Sequence, residues 1–116
     1  MYTINKTTIT LTRGDTFFAE VQIKRDNEPY TPEVGDRVRF ALKHSRLNPD
    51  GTDYRETDPL ILKEIPIDTM ILRLDPEDTK PLGFGRYVYD IEITFANGIV
   101  DTFIDNARFE LTPEVH

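Results

Sequence analysis

Hydrophobic and polar residues alternate most regularly in the segment from Arg86 to Phe95. The odd-numbered residues are apolar or aromatic: Tyr87, Tyr89, Ile91, Ile93 and Phe95. The even-numbered residues are polar apart from one valine: Arg86, Val88, Asp90, Glu92 and Thr94. Successive side chains of a β-strand point to opposite faces of a sheet. The pattern therefore predicts a strand with one buried and one solvated face.

Four further segments repeat this alternation. The residues expected to face the core are Ile9 and Leu11 in 7–11, Phe17, Ala19, Val21 and Ile23 in 15–24, Val38, Phe40 and Leu42 in 37–43, and Met70, Leu72 and Leu74 in 70–74. Each segment is short and is bounded by glycine, proline or polar residues, which is typical of strands.

The last part of the chain changes parity. Val100, Thr102 and Ile104 stand at even-numbered positions, whereas Phe109 and Leu111 stand at odd-numbered positions. One extra residue near positions 106–107 would reconcile the two patterns as a β-bulge. A short turn between two separate strands is the alternative.

The turns favour an antiparallel arrangement. Asn97-Gly98 supplies the positive φ angles of a tight hairpin. The polar segment 45–58 predicts a long projecting loop, and Asp75–Lys80 predicts a single helical turn with proline at its first position. About seven or eight strands with so little helix predict an all-β, two-sheet antiparallel sandwich. We expect residues 1–116 to form one domain.

Composition removes several classes of function. The 116 residues include no cysteine, which excludes disulfides and thiolate metal sites. The net charge of −7 argues against a nucleic-acid or anionic-membrane surface. No apolar stretch approaches the roughly 18 residues of a membrane span, and the N-terminal residues lack the apolar core of a signal peptide. We expect the protein to stay in the cytoplasm of the producing cell until it joins something larger.

Candidate catalytic chemistry is sparse. The chain contains two histidines, His44 and His116, and lacks the G-x-S-x-G pattern of a nucleophile elbow. Asp90 and Glu92 share one strand face and could lie about 7 Å apart, as the carboxylates of a glycosidase do. A solvated strand face explains the same spacing, so a hydrolase is only a minor alternative.

Acidic residues also cluster beside the expected helical turn. Asp75, Glu77 and Asp78 could bind a hard cation, but acids in a first helical turn complement the helix dipole without one. We therefore predict no catalytic, cofactor-binding or metal-binding residues and a protein that is not an enzyme.

The helical turn is the most specific local feature of the sequence. A strand ends at Leu74, a helical turn carries Asp78 and Thr79, and a strand with Tyr87 and Tyr89 follows. This order resembles the corner between strands E and F of immunoglobulin-like sandwiches, where an acid and a buried tyrosine join the two sheets. The resemblance implies that Asp78, Thr79, Tyr87 and Tyr89 form a structural corner. The cysteine pair and core tryptophan of antibody domains are absent.

A second resemblance spans nearly the whole chain. Its motifs are Gly14-Asp-Thr16, Pro29-Tyr30, Gly35-Asp-Arg-Val-Arg-Phe40, Leu72-x-Leu74-x-Pro-Glu-Asp-Thr79, Gly85-x-Tyr87-x-Tyr-Asp-Ile91, Gly98 and Phe109-x-Leu111. In this order they resemble the N-terminal domain of phage upper baseplate proteins and related small prophage structural proteins. The resemblance implies an immunoglobulin-like β-sandwich that attaches a receptor-binding assembly to a phage tail tip.

In that family a linker and further parts follow the domain, whereas this sequence stops at His116. We expect the platform domain alone or a free-standing relative. The resemblance implies a structural module that ends up in the tail or baseplate of a virion. Its expected partners are other phage structural proteins or copies of itself, with no nucleic acid, no membrane insertion and no cofactor.

Four residues are candidates for contact with a partner: Phe18, Tyr54, Phe84 and Val88. Phe18 and Val88, like Ile71, are apolar residues on otherwise polar strand faces. Two such residues on one sheet face would be an interface candidate. The alternative function is a carbohydrate-binding sandwich that recognises a cell-surface glycan through exposed aromatics such as Tyr30, Tyr54 and Phe84.

Overall fold

The computed structural model describes residues 2–5, 7–25, 28–44, 46–47, 53–54 and 60–113. Strands dominate these residues, and the helix is a single turn, α1. The elements are β1 (Tyr2–Asn5), β2 (Thr8–Thr12), β3 (Phe17–Glu20), β4 (Ile23–Arg25), β5 (Glu28–Tyr30), β6 (Arg37–His44), β7 (Arg46–Leu47), β8 (Asp53–Tyr54), β9 (Ile61–Ile65), β10 (Ile71–Leu74), α1 (Pro76–Thr79), β11 (Gly85–Thr94) and β12 (Val100–Thr112).

The largest sheet has six strands in the order β1-β2-β12-β11-β6-β9. Strands β3 and β10 form a second, two-stranded antiparallel sheet, and β4–β5 and β7–β8 are short antiparallel pairs. The expected all-β class with one helical turn is confirmed. The expectation of purely antiparallel sheets is wrong, because β2 runs parallel to β12. The reason is topological: the chain leaves β2 for the other sheet instead of turning back beside it.

Side-chain parity follows the predicted alternation. The inward residues of β6 and β11 are buried, and Leu11, Phe17 and Phe109 are buried with them. These side chains form one apolar core: Ile9, Leu11, Phe17, Ile23, Val38, Phe40, Leu42, Ile61, Ile65, Leu72, Leu74, Tyr87, Tyr89, Ile91, Ile93, Ala107, Phe109 and Leu111. The Asn97-Gly98 hairpin also forms, with Gly98 at φ +89° and its N–H 2.8 Å from the Phe95 carbonyl oxygen.

The C-terminal segment is one long strand, so the β-bulge alternative holds and the turn does not. Pairing between β11 and β12 shifts register on either side of Ile91, where Ile91 lies opposite Ile104. The first shift places Ile104 on the inward face, and the second pairs Thr102 and Val100 with the outward residues Glu92 and Thr94, so Val100 is 55% exposed.

Other expectations are refined. The segment predicted as one strand over 15–24 divides into β3 and β4, and the Val21 N–H donates to the Met70 carbonyl oxygen at 2.7 Å. Strands β1 and β9 were not predicted. The predicted loop 45–58 contains the paired strands β7 and β8. Its other residues, apart from those two strands, lie outside the described part of the chain.

Candidate docking surface

The two-stranded sheet has one face on the core and one face in solvent. Phe17 and Leu74 point inward and are fully buried. The alternate residues form the outer face, which we call the β3–β10 face: Phe18, Glu20, Ile71 and Arg73. Phe18 is 46% exposed and Ile71 is 40% exposed. The expectation that both are exposed is confirmed, and the structure brings them onto one face.

Arg73 borders the apolar part of this face. It pairs directly with Phe18 across the two strands, and its guanidinium carbon lies 5.1 Å from the centre of the Phe18 ring. The Arg73 Nε–H also donates to Asp75 Oδ1 at 2.7 Å. The carboxylate therefore orients the guanidinium while the aromatic ring contacts it. Aromatic residues and arginine are the types enriched at the centres of protein interfaces.

The outer face of the six-stranded sheet is different, because many of its charged side chains form ion pairs. Four ion pairs lie on it: Arg37–Glu64 at 3.0 Å, Arg39–Glu92 at 4.0 Å, Lys43–Asp90 at 3.3 Å and Arg86–Glu110 at 3.4 Å. Such a surface is well hydrated. Its exposed apolar residues, Leu62 on β9 and Val100 on β12, are separated by the two strands β11 and β6.

Val88 lies on this charged face and corrects one expectation. The sequence predicts an exposed valine, but Val88 is only 5% exposed. It lies between Lys43 on β6 and Arg108 on β12, its direct neighbours across the sheet. A short side chain between longer ones on a central strand is easily covered by their aliphatic parts. Val88 is therefore not accessible for docking.

The remaining interaction candidates do not gather at one place. Phe84 is 52% exposed in the segment before β11, where the Arg13 guanidinium carbon lies 4.5 Å from its ring centre. Tyr54 belongs to β8, and its side chain lies outside the described part of the structure. Tyr30 donates its hydroxyl to Asp36 and packs edge-on against Phe95. A glycan platform of several exposed aromatic rings is not assembled from the described side chains.

The predicted corner residues each make a hydrogen bond or ion pair, but to different partners and not to one another. The Tyr87 hydroxyl donates to the Gly83 carbonyl oxygen at 2.7 Å, four residues upstream. Thr79 is fully buried, and its Oγ1 accepts a hydrogen bond at 3.1 Å from the N–H of Gly14. That bond joins α1 to the turn between β2 and β3. The Tyr89 hydroxyl donates to the carbonyl oxygen of Thr7, which lies between β1 and β2.

Asp78 connects the helical turn to the larger sheet. Its Oδ2 accepts the Asp75 N–H at 2.8 Å, which stabilises the start of α1. The same oxygen lies 3.0 Å from Nζ of Lys63 on β9. Asp75, Glu77 and Asp78 thus follow the expected pattern of acids at a helix start. Among the described residues, no group of three or more metal-ligating side chains could hold an ion.

Burial changes the acidity of both corner tyrosines. Desolvation raises the pKa of Tyr87, and the hydrogen bond to Gly83 opposes part of that rise. Desolvation raises the pKa of Tyr89 to about 12. Both hydroxyls therefore remain neutral hydrogen-bond donors at physiological pH, which is consistent with a structural role.

Asp36 is an organising residue that the sequence pattern did not single out. Its carboxylate accepts three hydrogen bonds: from the Tyr30 hydroxyl at 2.7 Å, the Glu33 N–H at 2.9 Å and the Ala96 N–H at 3.1 Å. Beside it, Gly35 has φ +99°, and an added Cβ would lie 2.9 Å from the Ala96 Cβ. The Gly35-Asp36 pair was the available signal, because glycine permits the turn that aims the carboxylate.

The carboxylates proposed for a hydrolase are held by cations instead. Asp90 pairs with Lys43, and Glu92 lies beside Arg39. Neither lines the pocket between Gln22 and Asp68 or the groove beside Ile9 and Tyr89. His44 ends β6, and its side chain is outside the described part. The helix α1, with four residues, is far too short to cross a membrane, and the described residues contain no longer one.

The geometry thus distinguishes a two-stranded outer face that brings Phe18 and Ile71 together from a six-stranded outer face that carries four ion pairs. Comparison of the chain with models of protein families, with curated proteins and with solved structures found no significant match.

Proposed function

We propose that the chain is a non-enzymatic structural module of a phage or prophage particle, associated with the tail or baseplate. It docks to copies of itself through the β3–β10 face. The phage context comes from the sequence resemblance to upper baseplate domains. The choice of surface comes from the structure.

The finer fold assignment within this proposal is an immunoglobulin-like sandwich. The neighbours β6, β11 and β12 correspond to strands C, F and G, while the pair β3–β10 corresponds to B and E. The bond from the Tyr87 hydroxyl to the backbone four residues upstream supports the assignment, because tyrosine corners of such sandwiches make this kind of bond. The parallel β2–β12 pair is an addition to the simple antiparallel pattern.

The observation that carries the proposal is the placement of Phe18 and Ile71 beside Arg73 on one outer face. Exposed apolar residues that occur singly need no explanation, but two on one small face indicate a contact surface. The ion pairs of the opposite face make that face a poor competitor.

The size of the face sets the expected strength of association. Two short strands present far less than the roughly 800 Å² that each partner contributes to a standard interface. We therefore expect association that depends on protein concentration and, because the same face of both copies meets, a two-fold symmetric dimer.

Mass in solution tests this function. Size-exclusion chromatography with light scattering over a wide concentration range should show a defined oligomer for the natural chain. The double variant Phe18→Ser/Ile71→Ser should remain monomeric at concentrations where the natural chain associates. Leu62→Ser is the matched control, because Leu62 is 58% exposed on β9 of the other sheet. A natural chain that stays monomeric, or a control as defective as the double variant, would contradict the proposal.

A further inference from the structure

Strand β3 pairs with β10 along one edge, and the Val21 N–H continues that ladder by donating to the Met70 carbonyl oxygen. Within the described part of the chain, no strand pairs with the other edge of β3, which we call its free edge. Backbone groups of alternate residues in an antiparallel pair point to opposite sides. The N–H and C=O groups of Phe18 and Glu20 therefore point away from β10. Among the described residues no strand pairs with them there.

A narrow groove follows this free edge. Its volume is about 130 Å³. One wall consists of β3 and the two residues after it, and the floor is the inner face of the larger sheet. The floor of the groove is mostly apolar and consists of Thr7, Ile9, Tyr89, Ile91 and Ile104, while Leu72 of β10 lines it from the sheet above. The groove exists because the six-stranded sheet continues through β12, β2 and β1, whereas the sheet above it contains only β3 and β10.

The groove carries charge of one sign. Glu20 is the single charged residue among those that line it, and the chain as a whole has a net charge of −7. An occupant with basic side chains is thus favoured over an acidic one. The free backbone groups of Phe18 and Glu20 favour an occupant in extended conformation, since only a strand satisfies alternate groups along an edge.

We propose that this edge binds an extended, basic segment of a different protein as a third strand beside β3. Apolar side chains at alternate positions of that segment enter the groove, and a lysine or arginine lies opposite Glu20. The site shares Glu20 with the β3–β10 face, but it uses the backbone edge of β3 and the groove beneath it instead of the outward side chains of Phe18 and Ile71, so this inference goes beyond the proposed function.

A second folded copy is a poor occupant of the same edge. Two β3 strands paired antiparallel would bring the β12-β2-β1 portions of both larger sheets into the same space. A single strand has no such portion and fits beside β3. The segment of a partner is therefore the occupant that the geometry favours.

The test uses the full chain and fluorescein-labelled peptides of nine residues. One peptide alternates valine and lysine, a second alternates valine and glutamate, and a third is the lysine peptide with alternate backbone nitrogens methylated. Fluorescence anisotropy should show binding of the lysine peptide, with both other peptides bound at least about fivefold more weakly. Amide chemical shifts should move at Phe18 and Glu20.

Two charge variants separate the local effect from net charge. Glu20→Lys should weaken binding of the lysine peptide about fivefold more than Glu77→Lys does, as expected for loss of one ion pair. Glu77 is exposed in α1, and both substitutions change the net charge equally. Circular dichroism checks that both variants fold.

Three results would overturn the inference. They are no binding of the lysine peptide up to about 1 mM, equal binding of the methylated peptide, and equal effects of the two charge variants. None of them bears on self-association, which is measured without peptide. A monomeric natural chain that still binds the lysine peptide would contradict the proposed function and leave this inference standing.

Discussion

The two outer faces of the protein show how similar strand patterns serve different purposes. On β11 the outward positions hold Asp90 and Glu92, each beside a cation of β6. On β3 and β10 the outward positions include Phe18 and Ile71, both substantially exposed. Many charged side chains of the first face form ion pairs within the chain. The second leaves apolar area that a partner can cover.

The comparison also shows that the pattern of polar and apolar residues along a strand does not by itself determine how exposed a side chain is. Val88 and Phe18 are both single apolar residues among polar ones, yet Val88 is 5% exposed and Phe18 46%. Val88 occupies a strand with neighbours on both sides, whereas Phe18 belongs to a sheet of two strands. The number of neighbouring strands decides which of them is accessible.

Substitutions at two adjacent residues of β10 should change the free energy of unfolding by very different amounts. Leu72→Ala removes a side chain that is 2% exposed, so the free energy of unfolding should fall by ~2–5 kcal/mol. Ile71→Ala removes an outward side chain and should change that free energy by less than about 1 kcal/mol. Urea denaturation measures both values.

The two variants should rank in the opposite order in their effect on self-association. Ile71→Ala should weaken self-association severalfold in light scattering, while Leu72→Ala, where it is folded, should associate normally. Equal stability losses at the two positions would contradict the assigned orientation of β10.

A truncation on the charged face tests the burial of Val88. Val88→Ala should lower the free energy of unfolding by ~1.5–3 kcal/mol, because a buried valine contributes on that scale. It should leave self-association unchanged. A loss below about 0.5 kcal/mol would mean that Val88 is exposed after all, as a surface substitution has that small effect.

Alkaline pH should weaken the interior that both sheets share. The pKa of Tyr89 is about 12 in the folded chain against an ordinary value of 10.0, because burial disfavours the phenolate. Its contribution to stability is complete below pH 10 and is lost as pH rises from 10 to 12. Urea denaturation at several pH values should show a decline in that window that is shallower in Tyr89→Phe. An identical decline in both proteins would contradict this assignment.

The smallest effect is expected from an ion pair of the charged face. Arg37 and Glu64 are largely exposed, and their mutual hydrogen bond raises the pKa of Arg37 and lowers that of Glu64. Glu64→Gln should change the free energy of unfolding only slightly, within the range of an ordinary surface substitution, since water screens such pairs.

Self-association of the natural chain should remain unchanged in molar salt, whereas a contact built on the ion pairs of the charged face would weaken.

The sequence predicts the strands whose inward positions are all apolar, such as β6 and β11. Strand β9 does not show this pattern, because its inward position 63 is a lysine that reaches Asp78 on the helical turn. A polar residue at an inward position interrupts the alternation, and its partner is distant in sequence. The parallel pairing of β2 with β12 was equally inaccessible, because local patterns do not specify which strands become neighbours.

The candidate site was only partly predictable. Tyr87 and Thr79 were recognisable because a helical turn followed by an aromatic strand is a local feature. Phe18 and Ile71 could each be named, but their common face depends on the pairing of two strands that are distant in sequence. The three bonds of Asp36 also join separate turns, so its role required the fold.

The central claim is that copies of the chain meet through the β3–β10 face. Two-dimensional NMR spectra recorded over a dilution series locate a contact directly in a protein of 13.5 kDa. We expect concentration-dependent shifts concentrated at Phe18, Ile71 and Arg73, with little change at Leu62 or Glu92. Shifts concentrated on β6, β9 and β11, or none at millimolar concentration, would contradict the claim.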